Sequence, residues 1–255
     1  MLIINNGSLK PIIMKKVILL TALFLLSMVL VWTQDKETKN TLLIGVEAPS
    51  FVAQSTDGEI DFPADFGLSW KILIGQPKAY TPVCSSELLE LAYQQDSFDD
   101  LNARLIIIVT DELEQGKHWK LLVEEVDYKE RGRVKVNFPL VEDRFYKIAN
   151  LYGMTNPDVK SGQCTRGVFI IDPNNKLKTV FHYPIEVGIN IDELRRTLVA
   201  LQTTYNNRNV VTPANWQPGD DLMVPVISAF ERENMGNPNS DLYQLSWCMT
   251  FKKAK

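Results

Sequence analysis

"KILIGQPKAYTPVCSSELL", residues 71–89, decides how this chain is read. It opens on a short apolar run that Gly75 ends, the pattern of a buried strand. Pro77 begins a loop. Thr81 is a good helix N-cap, and Pro82 then takes the first helical position, where its missing N–H costs nothing. Leu88, Leu91 and Ala92 follow at helical spacing and predict a helix over residues 85–99 behind that start. Cys84 becomes the third residue of the helix, in the first turn, beside free backbone N–H groups and the positive end of the macrodipole. On spacing alone two readings of Cys84 stay open. Helix N-termini favour thiolate over thiol and so make nucleophiles. Free cysteine is also a common, inert core residue.

Outward from this stretch, strands and helices alternate. "RLIIIVT" (104–110) is rich in β-branched residues and reads as a central strand. "GVFIID" (167–172) and "LKTVFHY" (177–183) flank the turn residues "DPNNK" and should pair as a hairpin. "GVEAPSF" (45–51) suits a turn leading into an edge strand. Helices are predicted over 113–126, over "DRFYKIANLYG" (143–153) and over "NIDELRRTLVALQ" (190–202). The second of these would align Phe145, Ile148, Ala149 and Tyr152. The third has Asn190 as its N-cap and Leu194, Leu198 and Leu201 on one face. Early alternation with a late hairpin predicts an α/β domain with a thioredoxin-like fold, a mixed central sheet flanked by helices. It should span residues 41–205. Residues 206–255 are turn-rich and read as a small C-terminal extension that packs on the core or on a second subunit.

Composition narrows the function. The chain has 255 residues, is 23% charged and carries a net charge of -4, so a general attraction to nucleic acid is not expected. Its two histidines, His118 and His182, and the lack of any C-x-x-C argue against a metal site. Three cysteines are too few for a disulfide scaffold. "MKKVILLTALFLLSMVLVW", from Met14, has a basic start and an apolar run, the pattern of a secretory signal. It is slightly short for a spanning helix of about 20 residues. It also ends in Val31, Trp32, Thr33 and Gln34, a poor cleavage site. Residues 1–40 are thus a signal-type leader or a membrane anchor with a linker. The expected location is exported, or anchored through residues 14–34, with the cytoplasm as the alternative.

Pro77, Thr81 and Cys84 spell P-x-x-x-T-x-x-C, which resembles the peroxidatic signature of the peroxiredoxins. Residues 45–51 resemble that family's opening G-x-x-A-P-x-F, "NFPLVED" its loop before the next helix, and "TRGVFIIDP" the strand bearing its active-site arginine. "YPIEVGINIDELRRTLVALQ" and "TPANWQPGD" are similar to the one-cysteine group and its extension. The likeness runs from about residue 42 to 225. It implies a thiol-dependent peroxidase reducing hydrogen peroxide and organic hydroperoxides, with no cofactor, an external thiol reductant and a homodimer. Cys84 would be the peroxidatic thiolate, which becomes a sulfenic acid. Thr81 would hydrogen-bond the substrate oxygen, and Pro77 would shield the sulfur. Arg166 would stabilise it and Glu87 would orient Arg166. Without the motif, Arg166 reads as a surface strand residue and Glu87 as a solvated helix carboxylate. The competing function is a membrane-tethered redox sensor or holdase that switches on the same thiol.

Three departures stand out. Gln76 replaces the histidine common before the proline, and Ile189 replaces a second arginine, which thins the positive field around Cys84. "GLSWK" keeps Ser69 of a phospholipase-type G-x-S-x-G but not the last glycine. Strand alternation would put Cys164 on the same face as Arg166, although a small core cysteine is the favoured reading of it. Cys248 is a resolving thiol on a mobile tail or, by slight preference, packs with Trp247 and Phe251 against the body.

Overall fold

The computed structural model describes residues 42–155 and 164–254. The leader or anchor expected within residues 1–40 lies outside them. Among the described residues no helix is long and apolar enough to cross a membrane.

The elements run β1 (Phe51–Ser55), β2 (Gly58–Phe62), β3 (Trp70–Gln76), α1 (Pro82–Asp100), β4 (Ala103–Val109), α2 (Leu113–Glu124), β5 (Leu140–Glu142), α3 (Lys147–Leu151), β6 (Arg166–Ile171), β7 (Leu177–Tyr183) and α4 (Ile191–Asn206). A seven-stranded sheet has the order β2-β1-β5-β4-β3-β6-β7. Strands β3, β4 and β5 are parallel, and the outer pairings are antiparallel. This is the α/β, thioredoxin-like mixed sheet that the alternation predicts.

Every residue of β3 is buried, as expected of a central strand covered on both faces. Alternation sorts its side chains. Ile72 and Ile74 join Leu105, Ile107, Val168 and Ile170 in one core, against Leu88 and Leu91 of α1 and Leu194 and Leu198 of α4. Leu73 joins Ile106, Ile108, Phe169 and Ile171 in a second core, with Phe62, Ile148 and Tyr152. Lys71, buried in the strand, is satisfied by the Gly67 carbonyl and Asn175 Oδ1, each 2.7 Å from Nζ. Asn190 caps α4 as predicted, its side chain accepting from Glu193 N at 3.0 Å.

Several expectations need correction. The edge strand on that side is β2, with β1 one place further in. Three-residue β5 lies inside "NFPLVED", read from sequence as a loop. The helix predicted over 143–153 shrinks to α3, because Tyr146 is left-handed at φ 57° and breaks the register before it. Ile148, Ala149 and Tyr152 are buried as expected, but Phe145 is 66% exposed.

The C-terminal extension forms β8 (Leu222–Met223), α5 (Ala229–Asn234), β9 (Leu242–Ser246) and β10 (Met249–Lys252). Its strands make a three-stranded sheet in the order β8-β10-β9. Trp247 and Cys248 occupy the β9–β10 turn. Trp247 is 91% exposed and Cys248 is exposed, so the packing of this pair against the body is not seen. A turn points its side chains away from the ladder. Phe251, inside β10, stacks on Tyr243 instead.

Candidate active site

The loop 77–81 leaves the C-terminal end of β3 and delivers Cys84 to the first turn of α1. Thr81 holds the N-cap position with Pro82 after it, as predicted, yet its side chain makes no capping bond. Its hydroxyl donates to the Lys78 carbonyl at 3.1 Å instead. Pro77 is buried in the same loop. Tyr80 takes a left-handed φ of 61°, a conformation that a bulky residue adopts only when its surroundings enforce it.

Cys84 is 1% exposed and lies in the first core with Ile74, Ala79 and Leu88. Glu87 follows one turn later, three residues on, and shares its face. Arg166 arrives from the other side. It opens β6, whose antiparallel register sets Gly167 against Gly75, so Arg166 falls beside the end of β3. It is 1% exposed rather than a surface residue.

The guanidinium reaches out on all sides. Arg166 Nη2 lies 3.5 Å from Cys84 Sγ, and Nε is 2.8 Å from the Glu87 carboxylate. Nη1 is shared by the carbonyls of Pro184 at 2.9 Å, Ile185 at 3.2 Å and Val187 at 3.0 Å. Those three acceptors, on the loop after β7, were not legible as functional. A run of carbonyls has no side-chain signature. Glu87 is 3% exposed; burial pushes its carboxyl up, while the Ile189 N–H at 2.7 Å and Arg166 pull it down.

The departures have structural counterparts. Ile189 is a buried side chain whose main-chain N–H supports Glu87. Arg166 is therefore the cation bonded to the sulfur among the described residues. Gln76 is fully buried; its amide makes no geometrically well-formed hydrogen bond among the described residues, and its side chain helps hold the Glu87 carboxyl down. Ser69 donates to Asn102 Oδ1 at 2.9 Å. Cys164 is buried and free, as favoured, but alternation misplaced it. The strand begins at Arg166, and Cys164 joins the second core with Met154 and Phe169 while Arg166 faces the first. Burial pushes its thiol up to about 12.

The site thus brings Cys84, Arg166 and Glu87 into one bonded set and places Thr81 and Pro77 in the loop that leads to them. It offers a sulfur nucleophile, a fixed cation and helix N–H donors. Comparison with known proteins agrees with that chemistry. Residues 44–180 match the AhpC/TSA family model, and residues 200–235 match the C-terminal domain of 1-Cys peroxiredoxin. A peroxiredoxin of Methanosarcina mazei is 40% identical over 214 residues, covering 83% of this chain and 97% of that protein. Mitochondrial peroxiredoxin PRX1 of Saccharomyces cerevisiae is 38% identical over 191 residues, covering 72% of this chain and 71% of that protein. A solved structure of yeast mitochondrial 1-Cys peroxiredoxin superposes with a TM-score of 0.74 at 33% identity, covering 84% of this chain and 100% of that one.

Proposed function

The chain belongs to the AhpC/TSA family, with the 1-Cys peroxiredoxin C-terminal domain, and from that premise we propose how its own residues carry out thiol-dependent peroxide reduction. The Cys84 thiolate attacks one peroxide oxygen. The O–O bond breaks, and the other oxygen leaves as hydroxide or alkoxide. Cys84 becomes a sulfenic acid, and an external thiol reduces it. Hydrogen peroxide and organic hydroperoxides are the substrates.

The observation that carries this reading is the Arg166 guanidinium, 3.5 Å from Sγ and held by four further contacts. Negative charge spreads over sulfur and both oxygens in the transition state. A cation already fixed there has no reorganisation left to make. The first-turn N–H groups of α1 add to the same field. Thr81 donates to Lys78, which leaves its oxygen lone pairs free to accept the peroxide O–H. Glu87 and the carbonyls of residues 184–187 act through Arg166. Pro77 keeps water from the sulfur.

The reading extends to setting. The apolar run within residues 14–34 supports export or anchoring at a membrane. The exposed apolar residues Val226, Phe230 and Trp247 of the extension support a homodimer contact. The solved structure from yeast was studied for thiol resolution via glutathione/thioredoxin systems, which supports a small thiol or a thioredoxin-type reductant here.

Cys84→Ser tests the chemistry. Its hydroxyl is not ionised at neutral pH, so peroxide consumption with dithiothreitol should vanish while the circular dichroism spectrum is kept. Full turnover in that variant refutes the assignment. For the setting, cell fractionation should recover the protein in a membrane or extracytoplasmic fraction. Full-length protein free in the cytosol overturns that part.

A further inference from the structure

The central strand has a reactive end and a plain one. Cys84 follows the Gln76 end of β3. The Lys71 end lies opposite Ile171, where β6 turns into β7. At about 3.3 Å per residue, roughly 16 Å of strand separates the two.

Exposed apolar side chains gather at the Lys71 end. The chain enters the fold there. The Gly45 N–H donates to the Leu177 carbonyl at 2.7 Å, and the Leu177 N–H to the Val46 carbonyl at 2.9 Å. The Ala48 N–H donates to the Asn175 carbonyl at 2.8 Å. Gly67 belongs to the same end, because Lys71 Nζ bridges its carbonyl to Asn175 Oδ1. Leu43 and Ile44, just before Gly45, are 64% and 67% exposed. Leu68, next to Gly67, is 78% exposed. Three large aliphatic side chains held in water at one end of a domain are the mark of an interaction surface.

Charge and chain position say what covers it. Arg104 and Lys176 at this end already pair with Asp99 and Glu47, while Asp65 and Asp100 add negative charge. An anionic partner gains nothing from such a rim. Upstream, ten residues, 33–42, part Leu43 from the apolar run that ends at Trp32. A chain spans at most about 3.6 Å per residue, so a run held in a bilayer keeps this end of the domain within roughly 40 Å of it.

We propose that Leu43, Ile44 and Leu68 dock the domain on the surface of a membrane with zwitterionic headgroups, and that the Cys84 end of the sheet is thereby turned to water. The inference rests on the reading that residues 14–34 anchor the chain. An anchor alone leaves a domain free to turn on its linker. A second, weak apolar attachment fixes which end faces the lipid, as two membrane signals together hold what one holds loosely. Hydroperoxides and the reducing thiol then reach Cys84 from the aqueous side.

The test uses the full chain in phosphatidylcholine vesicles. In a Cys84→Ser, Cys248→Ser background the remaining thiol, Cys164, is buried. Leu68→Cys then takes a bimane label at the plain end, and Lys78→Cys, exposed in the loop 77–81, takes it at the reactive end. Vesicle flotation is read first. Quenching by lipid that carries a nitroxide on its acyl chain is read second. The probe at residue 68 should lose about half its emission, as expected of a group sunk about 5–10 Å into the interface. The probe at residue 78 should keep its emission. Ile44→Cys should behave as Leu68→Cys does and carries the test if that variant does not fold.

Chain that floats with neither end quenched, or with both quenched alike, overturns the docking and leaves the anchor standing. Chain that does not float overturns the anchor, and the docking with it.

Discussion

Consider Arg166→Met. The variant keeps most of the side-chain length and removes the cation. Two losses follow, and they differ in kind. The buried Glu87 carboxylate, 3% exposed, loses its cation and keeps the Ile189 N–H, and three loop carbonyls lose their donor. Breaking a buried ion pair on one side costs about 3–5 kcal/mol, a large part of a typical stability of about 5–15 kcal/mol. Separately, the sulfur loses the donor at 3.5 Å. Removing one transition-state donor costs about 2.7–4 kcal/mol in the barrier, or about 10²–10³ in rate. Adding Glu87→Gln separates the two. The double variant buries no unpaired carboxylate, so urea unfolding should show most of the lost stability returned. Its rate with hydrogen peroxide should stay about 10²-fold or more below wild type. If the double variant regains both stability and rate, Arg166 serves the fold alone and the electrostatic argument is refuted.

Other outcomes are as definite. Iodoacetamide at neutral pH should label exposed Cys248 in the folded protein, whereas Cys164, buried with its thiol pushed up to about 12, should label only in denaturant. One equivalent of peroxide should therefore add the mass of one oxygen on Cys84, and a Cys84–Cys164 disulfide in place of that adduct contradicts the separate cores. Burial raises the Glu87 carboxyl above its ordinary 4.5, so the folded state holds this proton more tightly than the unfolded chain. Its contribution to stability should fall as pH rises from about 4.5 towards the raised value and level off beyond it. Glu87→Gln should remove that slope, which urea unfolding at stepped pH measures by difference.

Much of the fold is legible in the sequence where one element decides its own form. Ile72 to Gly75, Leu105 to Val109 and Val168 to Ile171 are continuous apolar runs, as strands buried on both faces must be. Asn190 marks the start of α4 without help. Elements defined by their neighbours are not legible. Strand β5 has three residues and exists because β4 offers it a ladder. The helix before Gly153 loses its first turn to Tyr146, and nothing local signals a left-handed residue there. The site divides in the same way. The position of Cys84 on a helix N-terminus follows from Thr81 and Pro82 alone. The burial of Arg166 does not, because Glu87 and the 184–187 carbonyls that make it tolerable come from other segments. Cys164 departs from the expected face because alternation holds only inside a strand, and the strand starts two residues later.

The separation between the site's two halves has a consequence for biogenesis. Cys84 and the guanidinium bonded to it are 82 residues apart in sequence. At about 5–20 residues per second, synthesis of that interval takes roughly 4–16 s. Within it the first parallel unit, β3–α1–β4, is synthesised in full while Arg166 is still to come. Only when β6 adds to the free side of β3 does Arg166 meet Glu87 and Cys84. A nascent chain therefore carries Cys84 with no arginine beside it, and the bonded set of Cys84, Arg166 and Glu87 forms only once the sheet has closed around it.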